Sequence, residues 1–182
     1  MKRSLPMVLP WLAPLLLSAA CSQPPSPGQV ATIDSLIMAN RAAMLTLREL
    51  DHQRYQRLDS LHGVHGPAIR ARFADTLRPA EARLLAPIYL GLREAARMGH
   101  DQASLLQRIE QRDQRLVVLR DDLATGRIPL PDAAACIDLE RRAQAYDHRQ
   151  LLTAIENYRM AQGVWEQCDS VEHVLSHAGQ QP

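Results

Sequence analysis

Asp169, His173 and His177 follow one another at four-residue steps near the end of the chain. On a helix such steps place all three on one face. Two imidazoles one turn apart, with a carboxylate beside them, are a donor set that Zn²⁺, Ni²⁺ or Cu²⁺ accepts. Cys168 and Glu166 are close in sequence, but no fourth ligand is evident, and a solvated polar face is the commoner use of this pattern. His62 and His65 form a second pair around Gly63. Neither pair has the His-Glu-x-x-His order of zinc proteases. Cys136 and Cys168 invite a disulfide, yet on one continuous helix they stand about 48 Å apart, and a disulfide needs Cα atoms within about 7 Å. Three states remain open: a helix that folds back to pair them, two unpaired thiols, or a bond between chains. No nucleophile elbow, Gly-rich phosphate loop or Cys-x-x-Cys is present. The expectation is therefore a protein that is not an enzyme and uses no cofactor.

The elements that would carry these residues are helical. Ile33, Ile37, Met44, Leu47, Leu58 and Leu61 recur at helical spacing, which predicts a first helix from about Thr32 to His62. Asn40, Asp51 and Arg54 interrupt its apolar stripe, as partner-specifying polar positions or as points where the stripe rotates. Gly63 and Gly66 are expected to break the chain, and Pro67 to open a short helix to Leu77. Pro79 opens the next helix, to about Met98, with a kink at Pro87. Gly99 and His100 read either as a stop with Asp101 as a new cap, or as positions the helix passes through. Leu105, Ile109, Leu116, Leu119 and Leu123 then share one face, with Arg112 and Arg115 as polar neighbours. Gly126 stands where a C-terminal cap belongs. Asp132 is expected to cap the last helix, Ala133 to about Ser176, whose stripe includes Leu139, Tyr146, Leu151, Ile155, Tyr158 and Trp165. No strand-like alternation stands out. The fold class is all-α: a helical bundle, or a long antiparallel hairpin with shorter helices packed on it.

The N-terminus adds a location. Met1-Lys2-Arg3 is basic, Leu5 to Leu17 is apolar, and Ser18-Ala19-Ala20 precede Cys21. This order is that of an export signal, and its apolar part is too short to span a bilayer. With Cys21 after small residues, the segment resembles that of the bacterial lipoprotein class, although Ser18 stands where the class prefers Leu. The resemblance implies that Cys21 is diacylated and becomes the mature N-terminus. Ordinary cleavage after Ala20 would instead leave a free thiol there. By analogy with enterobacterial lipoproteins, Ser22 favours the outer membrane, and the lack of an acidic run in the tether favours its periplasmic side. The resulting division is a signal over residues 1–20, the lipidated Cys21 and a tether over 21–29, one helical domain over 30–178, and a disordered tail over 179–182.

Leu77-Arg78-Pro79-Ala80-Glu81 also looks like the Leu-Thr-x-x-Gln helix start of small periplasmic stress chaperones. Arg78 and Glu81 depart from it, a second copy is absent, and no functional residue is carried over. The full chain has 21 basic and 20 acidic residues. Loss of residues 1–20 removes Lys2 and Arg3, which leaves 19 against 20 and a net charge of −1. That balance gives no electrostatic footprint for nucleic acid. The expected role is a lipid-anchored envelope protein of structural or protein-interaction type. It would be tied to the membrane through its N-terminal lipid and offer a coiled-coil-like face to a protein partner or a second copy. The alternative is a periplasmic binding module, a holdase or a metal buffer built on Asp169, His173 and His177.

Overall fold

A computed structural model of the chain describes residues 26–74 and 79–177, with side chains to residue 168 except at residue 84. Cys21, the signal segment, Leu77, Arg78 and the 179–182 tail lie outside the described residues. The described residues form four helices: α1 (Pro27–Glu49), α2 (His52–Ala74), α3 (Pro79–Ala124) and α4 (Leu130–His177). The fold is all-α. α3 and α4 make an antiparallel hairpin in which each helix is about 70 Å long at 1.5 Å per residue. α1 and α2 lie end to end along it, antiparallel to α3 and parallel to α4. The result is a three-helix rod whose third helix is broken in the middle.

Three apolar clusters follow one another along the rod. Ile33, Ile37, Leu116, Leu123 and Ile137 fill the end near the α3–α4 turn. Leu47, Leu105, Ile109 and Leu151 fill the middle. Tyr55, Leu58, Ile69, Leu85, Ile88 and Leu92 fill the other end. Leu and Ile dominate, as a chain with Phe73 as its only Phe must arrange.

Several boundaries differ from those the sequence predicts. α1 begins at Pro27 rather than near Thr32, so Pro27, Gly28 and Gln29 are helical and not tether. Pro27 suits the first helical turn, and Gln29 donates from Nε2 to the Leu130 carbonyl at 3.1 Å. The helix break expected at Gly63 and Gly66 falls instead between Glu49 and His52, and α2 runs through Gly63, Gly66 and Pro67. The cause is local chemistry that the apolar stripe conceals. Leu50 is extended, and the Asp51 carboxylate accepts from Gln53 N at 3.0 Å, as an N-cap does. From α3, Gln102 Nε2 donates to the Leu47 and Leu50 carbonyls, each at 3.0 Å, which satisfies the open end of α1. α3 is continuous through Pro87 and Gly99.

Gly126 does cap α3. Its φ is 69°, Arg127 N donates to Asp122 O at 2.8 Å and Gly126 N to Leu123 O at 3.2 Å, the two bonds of a Schellman motif. α4 starts at Leu130, so Asp132 lies inside its first turn instead of capping it.

Candidate functional site

Between the first two apolar clusters the rod carries a buried polar layer. Asn40 of α1, Arg112 of α3 and Asp147 of α4 are all buried. Each takes a position in its helix that the core stripe would give to an apolar residue. Arg112 Nη1 bonds the Asp147 carboxylate, and its Nε donates to Glu140 at 3.2 Å. Arg108 and Arg115 reach the same two carboxylates from the rim, at 3.5 and 3.1 Å. Asn40 Nδ2 donates to the Ile109 carbonyl at 2.8 Å, and Gln144 Nε2 to the Leu36 carbonyl at 3.0 Å. Arg112, a polar neighbour of the α3 stripe in the sequence, lies in the core as one half of an ion pair, because α4 supplies Asp147 opposite it.

Beside this layer α1 and α4 leave a cleft of about 300 Å³. Ala39 and Ala43 form one wall, Ala145 and His148 the other, and Asn40 and Asp147 the floor. The walls are open because methyl groups stand where larger side chains would close the seam. The polar groups of the floor are already engaged, Asn40 with the Ile109 carbonyl and Asp147 with Arg112 and Arg108. The chemistry of the cleft is that of a surface that receives an apolar group, with a rigid polar base beneath.

A second cavity, about 310 Å³, lies between α2 and α3. His52, Tyr55, Asp59, Gly99 and His100 line it. Sequence reading passed over His52 and His100 because they belong to different helices and no spacing links them. Among the described residues no group of three or more His, Cys, Asp or Glu side chains is placed to hold a metal ion. Tyr55 crosses from this wall into the core and meets Tyr158 edge to face, with centroids 6.3 Å apart. Burial pushes its phenol from 10.0 up to about 12; Tyr158 adds to the shift and Arg54 opposes it. Its hydroxyl is buried without a hydrogen-bond partner among the described residues.

The residues singled out by spacing are spread along the rod. Asp169, His173 and His177 belong to the last turns of α4, where side chains lie outside the described residues. His62 is half-buried against Tyr89, at 5.8 Å between ring centroids. Cys136 and Cys168 sit on the one continuous α4, near its opposite ends. Leu139 and Tyr146, placed by the sequence in the apolar stripe of α4, are exposed, whereas Ile137 and Leu151 are buried. The α4 stripe drifts around the helix and carries these two out of the seam.

α1 is also apolar on the side away from the core. Among the described residues it is the one helix long and apolar enough to cross a membrane by length and composition, a test that core helices also pass. No family model matches the chain, and no curated protein or solved structure matches it at a significant level.

Proposed function

We propose that this chain is an exported, lipid-anchored protein of the cell envelope with a structural or interaction role. Its helical rod would be held to the outer membrane through Cys21 and face the periplasm. The observation that carries the reading is the order of the N-terminus: basic start, short apolar segment, small residues, Cys21, a Pro/Ser-rich link, and then a helix from Pro27. Two acyl chains on Cys21 are the condition for stable anchoring, since each buried CH₂ contributes about 0.8 kcal/mol. The rod itself supports a scaffold role. Along the α1–α3 seam, Asp34–Arg120, Arg41–Asp113 and Arg48–Glu110 pair at 2.6, 3.3 and 2.7 Å. On α1 these charges recur every seven residues, the repeat by which coiled-coil helices flank an apolar seam.

The test is intact mass spectrometry, without reductant, on the protein extracted from its native envelope. A chain that starts at Cys21 and carries two or more acyl groups is the expected result. An unacylated chain in the soluble fraction would overturn the anchored reading.

A further inference from the structure

α1 has two helical stripes. The inner one, through Ile33, Ile37 and Leu47, belongs to the core. The outer one is Ala31, Ser35, Met38, Ala42 and Leu45, at alternating steps of four and three, and every member is exposed. Met38 is 73 % and Leu45 61 % exposed. That spacing is the repeat that seats one helix against another, and within the described fold nothing covers it. Ala42, between Met38 and Leu45 in this stripe, allows another backbone to come close.

We infer that this outer face of α1 binds the same face of a second copy, with the two α1 helices antiparallel. The inference rests on the interaction role proposed above and deepens it. Its orientation comes from charge. One edge of the stripe carries Asp34, Arg41 and Arg48; the other carries only Thr32, Ala39 and Thr46. In a parallel pair each charged edge meets the uncharged edge of the other copy. In an antiparallel pair the like edges meet. With Ser35 of each copy packed against Met38 of the other, Asp34 of one copy comes beside Arg41 of the second, and the two-fold axis repeats the pair. An isologous contact of this kind closes on itself and adds no further copies. Asp34, Arg41 and Arg48 keep half-exposed side chains while they pair with α3, so each remains open to a second partner. If the chains are anchored, a shared membrane raises the effective concentration of this contact.

The experiment uses the full chain in mild detergent, with sedimentation equilibrium as the readout. Asp34→Arg and Arg41→Asp are made as separate variants. The expected result is a dimer for the parent chain and dissociation constants raised about tenfold or more for each variant alone. An equimolar mixture of the two variants restores the dimer, because each then supplies the charges the other lacks. Changes within one chain cannot produce that restoration. Met38→Glu, at an exposed site, abolishes the dimer and, in melts taken at concentrations where the parent chain is also monomeric, leaves the circular-dichroism melting temperature unchanged, which separates docking from folding. A parent chain that stays monomeric at its highest soluble concentration, or a mixture that fails to restore association, overturns the inference. Acylation of Cys21 is read independently by mass, so failure here leaves the anchored reading standing.

Discussion

The buried ion pair between Arg112 and Asp147 stands on a balance that single residues can tip. Both side chains are removed from water, and the desolvation cost is offset only while each has the other. Arg112→Met therefore leaves Asp147 with only the rim contact to Arg108, and we expect a loss of about 3 kcal/mol in urea unfolding. The double variant Arg112→Met, Asp147→Leu removes both charges and recovers most of that loss; if it is as unstable as the single variant, the pair is not what holds the layer. Tyr55 gives a second test. Folded Tyr55 keeps its proton to about pH 12, whereas an unfolded tyrosine releases it near 10. The folded state therefore binds more protons between those values. Its stability falls there as pH rises, by about 2 to 3 kcal/mol at pH 12. Tyr55→Phe flattens that fall. At neutral pH the substitution also removes a buried hydroxyl without a partner, and we expect a gain of about 1 kcal/mol.

Packing between whole helices is governed by where the chain has no side chain. Gly91 of α3 faces Val164 of α4 so closely that a Cβ there would lie 2.3 Å from Val164 Cγ2. Gly91→Ala improves helix propensity by about 1 kcal/mol, but overpacking costs about 1–3 kcal/mol. The net expectation is a loss of about 1 kcal/mol. Gly163 has nothing within 4 Å of its would-be Cβ. There propensity acts alone, and Gly163→Ala raises stability by up to about 1 kcal/mol. A thermal melt in which Gly91→Ala raises stability as Gly163→Ala does would overturn the close contact of Gly91 with Val164. Glycine pattern alone cannot separate the two sites, since each lies within a helix. Gly99 is a further case: a Cβ there would lie 3.0 Å from Tyr55 Cβ, so it marks the close approach of α2, not the end of a helix.

At the scale of the whole molecule, two helices of about 70 Å laid side by side dictate an extended particle. A rod of that length and about 20 Å width has a radius of gyration near 21 Å, against about 15 Å for a compact domain of similar size. Small-angle scattering on the monomeric Met38→Glu chain should give the larger value; the smaller one would mean that the hairpin folds back on itself. The rod also explains why Cys136 and Cys168 do not converge. Its core is a line of clusters, so residues far apart in a helix stay far apart in space, and chemistry must be assembled across helices rather than along one. The α1–α4 cleft and the Arg112–Asp147 pair are assembled in that way.

The helical class, the α3–α4 hairpin and the Gly126 cap could be read from the sequence, because spacing at 3.6 residues, a five-residue link and a left-handed glycine are local properties of the chain. Most of the core stripe followed for the same reason, from Ile33 and Ile37 to Leu116 and Leu123. The break at Leu50–Asp51 was not legible: Gln102, distant in sequence, satisfies the carbonyls there, while the glycines and proline of α2 stay helical under its packing on α3. Nor could periodicity distinguish the inner from the outer stripe of α1, since the two overlap in one apolar segment. Which residues face water, and which charge is buried, were decided by the helices that came to lie opposite. Burial is a property of neighbours, and neighbours exist only in the folded chain.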